Sequence, residues 1–286
     1  CMKFSIIVVC LNAGTKLLQT IESILCQSCD DYEVIVKDGL STDGSVEKIE
    51  RNPKIKILKK QDSSIYDAMN QAIEAAKGEY FLFLNCGDYL ADADVLKKIK
   101  EIMDCHRADI YYGGMKRQGQ SSEIWYPRQI TDFVCYRNIP CHQVCFYSAD
   151  LFKERAFHVA YTVRADYEHF LYSVYEKKAK TFAMPHVICF YEGGGYSESK
   201  ENRKRDKKEV FCMKKILITA SVLLVLVLLL LLPVVAGVSY EIIKFAGRHE
   251  NWFTKLISKP GMWLQYITTR EPDDSQLEVA IASMKA

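Results

Sequence analysis

The sequence predicts an α/β protein with a mixed, mostly parallel central sheet, and three observations support this class. Short apolar runs, rich in β-branched residues, recur along the first part of the chain, as in buried parallel strands. Segments with apolar residues at helical spacing separate these runs. Three of the runs end in polar loops, and in open α/β sheets ligands bind beyond the carboxyl ends of the strands. We therefore expect a binding site where these loops meet.

The first two strands supply the clearest of these loops. Residues 3–10 form an apolar run that leads into Asn12, Ala13 and Gly14, and a helical pattern follows over residues 17–25. Residues 34–38 form the second run, which ends at Asp38 and enters a loop of carboxylates, hydroxyls and glycines before a helix begins at residue 45. The Asp38 carboxylate is suited to accept a hydrogen bond from the imide N–H of uracil. The alternative is an Asx turn followed by a helix cap.

The third polar loop follows an almost wholly apolar strand. A short strand over residues 55–58 and a helix over residues 65–77, which Gly78 ends, precede it. The strand itself covers residues 80–84 and ends in Asn85-Cys86-Gly87-Asp88. A helix over residues 91–103 comes next, so the alternative role for Asp88 is to cap that helix.

The order of these motifs resembles the family 2 glycosyltransferases, inverting enzymes of the GT-A fold that use nucleotide sugars. The resemblance covers residues 3–200 and rests on S-I-I-V-V-C-L-N-A-G, V-K-D-G-L-S-T-D-G-S, S-I-Y-D-A-M-N through to L-N-C-G-D, and later C-H-Q and A-D-Y-E. It implies a GT-A domain over residues 1–200. The implied reaction moves a hexosyl or N-acetylhexosaminyl group from a nucleoside diphosphate, a UDP-sugar, to a hydroxyl group.

The resemblance also implies which residues bind the donor. Asp38 reads the base, and Asn12, Asp67 and Asn70 line the donor pocket. Residues 85–88 take the place of the family's metal-binding D-x-D, although this chain keeps only Asp88 of the two or three carboxylates usual there. Because Mg²⁺ and Mn²⁺ bind oxygen ligands, often one or two carboxylates with phosphates and water, Asp88 is the predicted ligand of a divalent cation.

An inverting transfer needs a base, and the resemblance places it in Arg164-Ala165-Asp166-Tyr167-Glu168. Asp166, near the start of a helix, is the predicted catalytic base, and Glu168, on the acceptor side, is the second candidate. The alternative is that both carboxylates only favour the N-terminus of that helix. The C-H-Q motif assigns His142 and Gln143 to the acceptor subsite, while the alternative for His142 is a buried structural histidine.

Composition narrows the class of protein. The net charge of +2 argues against a dedicated nucleic-acid-binding protein. We identify no secretory signal peptide, so the 11 cysteines are expected to remain reduced and mostly buried. Cys26 and Cys29, paired with Cys141 and Cys145, would be the alternative, a zinc site.

The sequence changes character after the predicted catalytic domain. Residues 201–215 form a basic juxtamembrane linker, and residues 216–238 follow without a single charge. As a helix this segment would be roughly 34 Å long, enough to cross a bilayer, so it is the predicted transmembrane helix. The basic residues before it predict a bacterial inner, or cytoplasmic, membrane protein with the catalytic domain on the cytoplasmic side.

Residues 239–286, a predicted short helical segment, complete the chain. From about residue 230 the sequence resembles the C-terminal part of the YqhQ-like bacterial membrane proteins, a family without established function. The expected partners are thus a nucleotide-sugar donor, a lipid-linked or cell-surface polysaccharide precursor as acceptor, and the membrane, without nucleic acid. The alternatives are a non-catalytic nucleotide-sugar-binding module and a structural membrane protein defined by the C-terminal segment.

Overall fold

A computed structural model describes residues 2–193, 202–211 and 229–234, together with Gly237, Tyr240 and Lys244. The chain divides into two compact units, Cys1–Lys215 and Ile216–Ala286. Most of the predicted transmembrane segment, 216–238, and of the C-terminal segment, 239–286, lies outside the described residues. Among the residues that are described, no helix is both long enough and apolar enough to cross a membrane.

The first unit is built on a nine-stranded mixed sheet, which confirms the predicted α/β class. In chain order its strands are β1 (Phe4–Cys10), β2 (Tyr32–Asp38), β3 (Ile55–Lys59), β4 (Tyr80–Asn85), β5 (Tyr89–Leu90), β6 (Ile110–Arg117), β7 (Glu123–Ile124), β8 (Cys145–Ser148) and β9 (Thr181–Tyr191). Their order across the sheet is β3-β2-β1-β4-β8-β6-β9-β5, with β7 beside β6. Strands β3, β2, β1 and β4 are mutually parallel, whereas β8 runs antiparallel to both β4 and β6.

The parallel half of the sheet forms the centre of the core. Ile6, Val34 and Leu82 are each fully buried, as are most of their neighbours along β1, β2 and β4. Burial on both faces of a sheet removes the need for alternating polar residues, which explains the continuous apolar runs.

The register of these strands fixes where the polar loops lie. Cys10 on β1 pairs with Asp38 on β2, and Val9 pairs with Asn85 on β4. Because neighbouring strands are about 4.8 Å apart, the three loops leave the sheet side by side at one edge. The expectation that separate strand ends meet at one edge is confirmed.

Six helices of the first unit precede residue 193: α1 (Thr15–Leu25), α2 (Ile65–Ile73), α3 (Val95–Cys105), α4 (Asp132–Arg137), α5 (Asp150–Lys153) and α6 (Ala165–Tyr175). Residues 202–211 are also helical and are called α7 here. Helix α6 begins one residue before Asp166, which confirms the prediction that Asp166 lies near the start of a helix.

Three predicted helices differ from the observed structure. The helix predicted over residues 91–103 is α3, which begins four residues later, at Val95, and ends at Cys105. Helix α2 ends at Ile73 rather than at residue 77, because the Lys77 and Gly78 amides donate hydrogen bonds to the side chains of Glu33 and Ser5. A Cβ on Gly78 would lie 2.4 Å from the Ser5 backbone nitrogen, so glycine is required for this close approach. The predicted helix from residue 45 is only a short 3₁₀ turn, Val46–Lys48.

Candidate active site

The loops after β1 and β2 are joined by hydrogen bonds. Asn12 Oδ1 accepts from the Thr42 amide at 2.8 Å, and the Asn12 amide donates to Ser41 Oγ at 2.9 Å. The Gly14 amide donates to Asp43 Oδ2 at 2.8 Å. Asn12 has a φ of 51°, in the left-handed region that asparagine tolerates better than most residues. These contacts hold the two loops together as one rim.

Asp38 lies beneath this rim at the end of β2. It is 1% exposed, and its Oδ1 accepts hydrogen bonds from the Ser41 amide at 3.0 Å and from Ser41 Oγ at 2.6 Å. Asn12 and Asp38 thus belong to one loop cluster. The role of Asp38 in reading the base stays a prediction.

A buried lysine supports the backbone at Asp38. Lys37 is fully buried, and its Nζ donates to the Asp38 carbonyl at 3.1 Å, the Lys60 carbonyl at 2.6 Å and Asp62 Oδ2 at 2.7 Å. A buried ammonium is costly unless its charge is paired and its donors are satisfied. Here three acceptors meet that requirement, and the contacts tie β2 to the loop before α2.

Asp62→Ala should lower the free energy of unfolding by about 3–5 kcal/mol, because it leaves the buried Lys37 charge without its partner. Denaturant unfolding followed by circular dichroism measures the change. Asp30→Ala is the matched control, since Asp30 pairs with Lys54 at 2.6 Å but its side chain is 94% exposed. That variant should unfold close to wild type, and an equal loss in both variants would contradict the assigned importance of the Lys37 pair.

Asp88 sits at the end of the third loop in a buried position. It is 2% exposed; Oδ1 accepts from the Glu192 amide at 3.0 Å, and Oδ2 accepts from Gln143 Nε2 at 3.3 Å. Burial raises the pKa of the Asp88 carboxyl, while these two hydrogen bonds oppose the increase. The alternative role as a cap is wrong, since α3 begins at Val95, with Asp94 at the N-cap position.

A second carboxylate lies beside the altered D-x-D. A Cβ added to Gly87 would lie 2.3 Å from Glu192 Oε2, so the Glu192 carboxylate occupies the space that a side chain at position 87 would need. Gly87 has a φ of 99°, a conformation that favours glycine. Glu192 also pairs with Lys16 at 2.8 Å. The structure thus places a carboxylate from the end of β9 next to the loop that lacks one.

Asp166 lies in the first turn of α6 and is held by two side chains. Its Oδ2 accepts from His142 Nδ1 at 2.9 Å, and its Oδ1 accepts from the Tyr66 hydroxyl at 2.9 Å. Asn85 Nδ2 lies 3.4 Å from His142 Nε2, which is an acceptor when the imidazole is neutral and carries its proton on Nδ1. Burial alone would raise the pKa of Asp166, but the bonds from His142 and Tyr66 and the Arg164 charge lower it below the ordinary value.

One cavity of about 280 Å³ brings most of these residues together. Its polar lining includes Asn85, Asp88, His142, Gln143, Arg164, Asp166 and Glu192, together with the tyrosines Tyr66 and Tyr191. Asn85 Oδ1 is buried and has no hydrogen-bond partner within the described part of the chain. Two carboxylates and an amide oxygen are ligands of the kind that Mg²⁺ and Mn²⁺ prefer, so the residues present fit a divalent cation. The described residues include no group of three or more His, Cys, Asp or Glu that would hold a metal by themselves.

Five of the predicted site residues do not line this cavity: Asn12, Asp38, Asp67, Asn70 and Glu168. Asn12 and Asp38 belong to the loop rim described above. Asp67 Oδ2 accepts from the Ser63 amide at 2.8 Å, at the start of α2. Asn70 bonds the Phe157 amide and carbonyl, both at 2.9 Å, and so fixes a loop. The second base candidate, Glu168, pairs with Arg155 because a residue two positions after Asp166 projects from another side of the helix.

Tyr66 and Glu192 line the cavity but were not singled out from the sequence. Tyr66 belongs to the S-I-Y-D-A-M-N motif, so its presence there was a usable signal. The absence of a carboxylate at position 87 indicates that another residue could supply one. The local sequence does not indicate that this residue is Glu192.

Described cysteines are all free: Cys10, Cys26, Cys29, Cys86, Cys105, Cys135, Cys141, Cys145 and Cys189. Cys141 and Cys145 have raised thiol pKa values because both are buried.

This fold and site define a transferase of the GT-A type. Residues 5–170 match the family model described as glycosyl transferase family 2, and the chain belongs to that family. It is accordingly a glycosyltransferase. A PGL/p-HBAD biosynthesis glycosyltransferase of Mycobacterium bovis (strain BCG / Pasteur 1173P2) is 30% identical over 205 residues, which are 68% of this chain and 79% of that protein.

Solved structures show the same fold. The crystal structure of S. aureus TarS 1-349 matches with a TM-score of 0.57 and 22% identity, over 67% of this chain and 60% of that one. The mannosyltransferase PcManGT from Pyrobaculum calidifontis, in complex with GDP-Man and Mn²⁺, matches with a TM-score of 0.53 and 19% identity, over 68% of this chain and 58% of that one. The chain thus spans about three fifths of each solved protein.

The C-terminal part of the chain matches a different family. Residues 209–286 match the model described as a protein of unknown function, DUF1385. The uncharacterized protein YqhQ of Bacillus subtilis (strain 168) is 45% identical over 53 residues, 18% of this chain and 17% of that protein. Both resemblances predicted from the sequence are confirmed.

Proposed function

We propose that this chain transfers a hexosyl or N-acetylhexosaminyl group, with inversion, from a UDP-sugar to a hydroxyl of a lipid-linked or cell-surface polysaccharide precursor. The single observation that carries this proposal is the cavity in which Asp166 faces the Asn85–Asp88 loop. A proton acceptor and a candidate diphosphate site then share one enclosed space, as a direct displacement requires.

The donor would bind across the edge of the sheet where the three loops emerge. The uracil of the donor would lie at the rim formed by the loops after β1 and β2, next to Asp38 and Asn12. The diphosphate would lie toward Asp88. S. aureus TarS 1-349, whose fold is similar, has been solved in complex with UDP-GlcNAc. The likeness supports this placement through the fold alone.

Asp88 and Glu192 would hold a divalent cation, with Asn85 Oδ1 as a further oxygen. The cation would act as a Lewis acid that neutralises charge on the departing diphosphate. Gln143 and the Glu192 amide orient the Asp88 carboxylate through the hydrogen bonds already described.

Asp166 acts as the base. Its carboxylate takes the proton from the acceptor hydroxyl as the oxygen attacks the anomeric carbon, and the bond to the nucleoside diphosphate breaks on the opposite face of the sugar. His142 and Tyr66 hold the carboxylate in position, since each donates a hydrogen bond to one of its oxygens. Positioned bases of this kind contribute about 10² to 10⁴ in rate.

The acceptor and the location follow from the C-terminal part of the sequence. We place residues 216–238 across the bacterial cytoplasmic membrane, with the catalytic domain on the side that holds nucleotide sugars. A membrane-held enzyme would act on an acceptor carried by a lipid.

Titration calorimetry with UDP and GDP, each with and without Mn²⁺, tests the donor assignment. We expect UDP to bind more tightly than GDP, and more tightly with Mn²⁺ than without it. Release of UDP from UDP-N-acetylglucosamine and UDP-glucose, with alkyl glycosides as acceptors, then measures transfer. Failure to bind any nucleoside diphosphate would contradict the proposal.

The pH dependence of transfer should report Asp166. Because its pKa is lowered in the folded protein, the carboxylate stays ionised as the pH falls, and kcat/KM should fall only at a pH below the ordinary aspartate pKa. Tyr66→Phe removes one hydrogen bond to the ionised form, so the acidic limb should move to higher pH. Circular dichroism over the same range separates this shift from unfolding, and an unmoved limb would contradict the Tyr66 contribution.

A further inference from the structure

Helix α7 holds the segment that leads into the catalytic helix. Glu209 Oε1 accepts hydrogen bonds from the Thr162 amide at 2.8 Å and from Thr162 Oγ1 at 2.9 Å. Its Oε2 accepts from the Val163 amide at 3.1 Å and from the Arg164 amide at 2.9 Å. A single carboxylate therefore satisfies three consecutive backbone amides immediately before α6.

A second carboxylate of α7 reaches the cavity indirectly. Asp206 forms an ion pair with Arg164 Nε, and this pairing raises the pKa of the Arg164 guanidinium against the opposing effect of burial. Arg164 lines the cavity, and its charge helps to lower the pKa of Asp166. The position and the electrostatics of Asp166 thus depend on α7, although the family 2 match ends at residue 170.

The opposite side of α7 is strongly basic. Asn202, Asp206 and Glu209 are buried or half-buried, and their spacing of four and three residues places them on one face. Arg203, Lys204, Lys207 and Lys208 are all exposed. The helix therefore directs its acidic side chains to the catalytic segment and presents cations to its surroundings.

The sequence after α7 indicates what those cations meet. Residues 216–238 begin within five residues of its last described position and carry no charge. Basic residues next to a membrane span lie within reach of anionic headgroups, each favouring the surface by electrostatic attraction. A lipid surface is therefore the anion source that fits this position.

We propose that α7 docks on an anionic lipid surface through its basic face and, when docked, holds the catalytic segment 162–166 in place through Glu209 and Asp206. The inference rests on the membrane location in the proposed function. Docking restrains α7, and the restraint passes to Asp166 through the amides of residues 162–164 and through Arg164. The membrane surface and the base are then coupled by one helix.

Amide hydrogen exchange of the full chain in lipid nanodiscs tests this coupling. One set of discs contains phosphatidylcholine alone, and the other also contains phosphatidylglycerol. We expect the amides of residues 162–164 to exchange several-fold more slowly in the anionic discs. Equal exchange in the two sets would overturn the docking, whereas failure to enter either kind of disc would overturn the membrane location itself.

Two kinds of variant test the two parts of the proposal separately: the basic face of α7 and the hydrogen bonds of Glu209 to residues 162–164. R203Q/K204Q/K207Q/K208Q should abolish the difference between the two lipids, whereas K48Q/K56Q/K77Q/K97Q, an equal change of charge at other exposed lysines, should preserve it. Glu209→Gln should speed exchange at residues 162–164 in both lipids. An unchanged difference in the first variant, or unchanged exchange in Glu209→Gln, would overturn the proposal.

A soluble polyanion is the competing occupant of the basic face. A short single-stranded oligonucleotide added to the neutral discs should leave exchange at residues 162–164 unchanged. Protection equal to that in the anionic discs would assign the face to a soluble polyanion and overturn the lipid assignment.

Discussion

Asp166→Asn should lower the rate of sugar transfer by about 10² to 10⁴. Asparagine has nearly the same shape, but it cannot accept a proton from the acceptor hydroxyl at neutral pH. UDP affinity should change little, because the rim at Asp38, the proposed site of the uracil, lies on other loops. Release of UDP measures the rate, and calorimetry measures binding.

Asp150→Asn is the matched control for this change. Asp150 also lies in the first turn of a helix, α5, but its side chain is 76% exposed and forms an ion pair with the similarly exposed Lys153. Its substitution should leave both rate and binding unchanged. Full activity in Asp166→Asn would reject Asp166 as the base.

His142→Asn should cost less than Asp166→Asn. His142 is proposed to position the carboxylate rather than to accept the proton, so its loss should lower kcat while Asp166 still functions. It should also move the acidic limb of kcat/KM upward, since a hydrogen bond to the ionised carboxylate is lost. A loss as large as that of Asp166→Asn, without a shift in the limb, would instead indicate that His142 takes the proton itself.

The parallel half of the fold could be predicted from the sequence because its signals are local. Apolar runs at residues 3–10, 34–38 and 80–84 mark strands buried on both faces, and their polar ends fall at one edge once the strands pair in register. The same reasoning places Asp38 and Asp88 at that edge. The end of α2 was harder to predict. The side chains of Glu33 and Ser5, which are distant in sequence, accept hydrogen bonds from the Lys77 and Gly78 amides, which would otherwise extend the helix.

The residues predicted for the site differ from those that line the cavity at positions where the contacts join residues distant in sequence. Asn70 was assigned to the donor pocket, yet it bonds the backbone of Phe157, 87 residues away. Glu192 reaches the Asp88 loop from 104 residues away, and its position depends on how β9 ends beside β5 and β6. No local pattern encodes such contacts, because they depend on the order of the strands across the sheet.

Residues 201–215, predicted from the sequence as a basic linker, show what the charge of a segment does not predict. Counting charges over residues 201–215 gives the cations their full weight and hides the two acids, Asp206 and Glu209, that make the structural contacts. Only the position of the helix beside residues 162–164 shows that the acids face the protein. Net charge therefore predicts which kind of partner the exposed face of such a helix would bind, but not which residues of the protein its buried face contacts.

Asp88→Asn and Glu192→Gln should each remove the dependence of UDP affinity on Mn²⁺ and reduce transfer by about 10²-fold or more, the effect of losing several kcal/mol of transition-state stabilisation. Asparagine is preferable to alanine at position 88, because it keeps the shape of the side chain and one of the two acceptor oxygens. Alanine would leave both the Glu192 amide and Gln143 Nε2 without their acceptor, at about 1–3 kcal/mol per buried group. Asp88→Ala should still lose most activity.

Glu79→Gln is the matched control for Glu192→Gln. Glu79 also pairs with a lysine, Lys3, at 2.9 Å, close to the 2.8 Å between Glu192 and Lys16. Losing an ion pair of this kind at a partly exposed position should by itself change little. The ratio of UDP affinities with and without Mn²⁺ is the deciding measurement, because it does not depend on the acceptor. If that ratio falls in Asp88→Asn but not in Glu192→Gln, Asp88 binds the cation without the carboxylate of β9, and Glu192 serves only to neutralise Lys16.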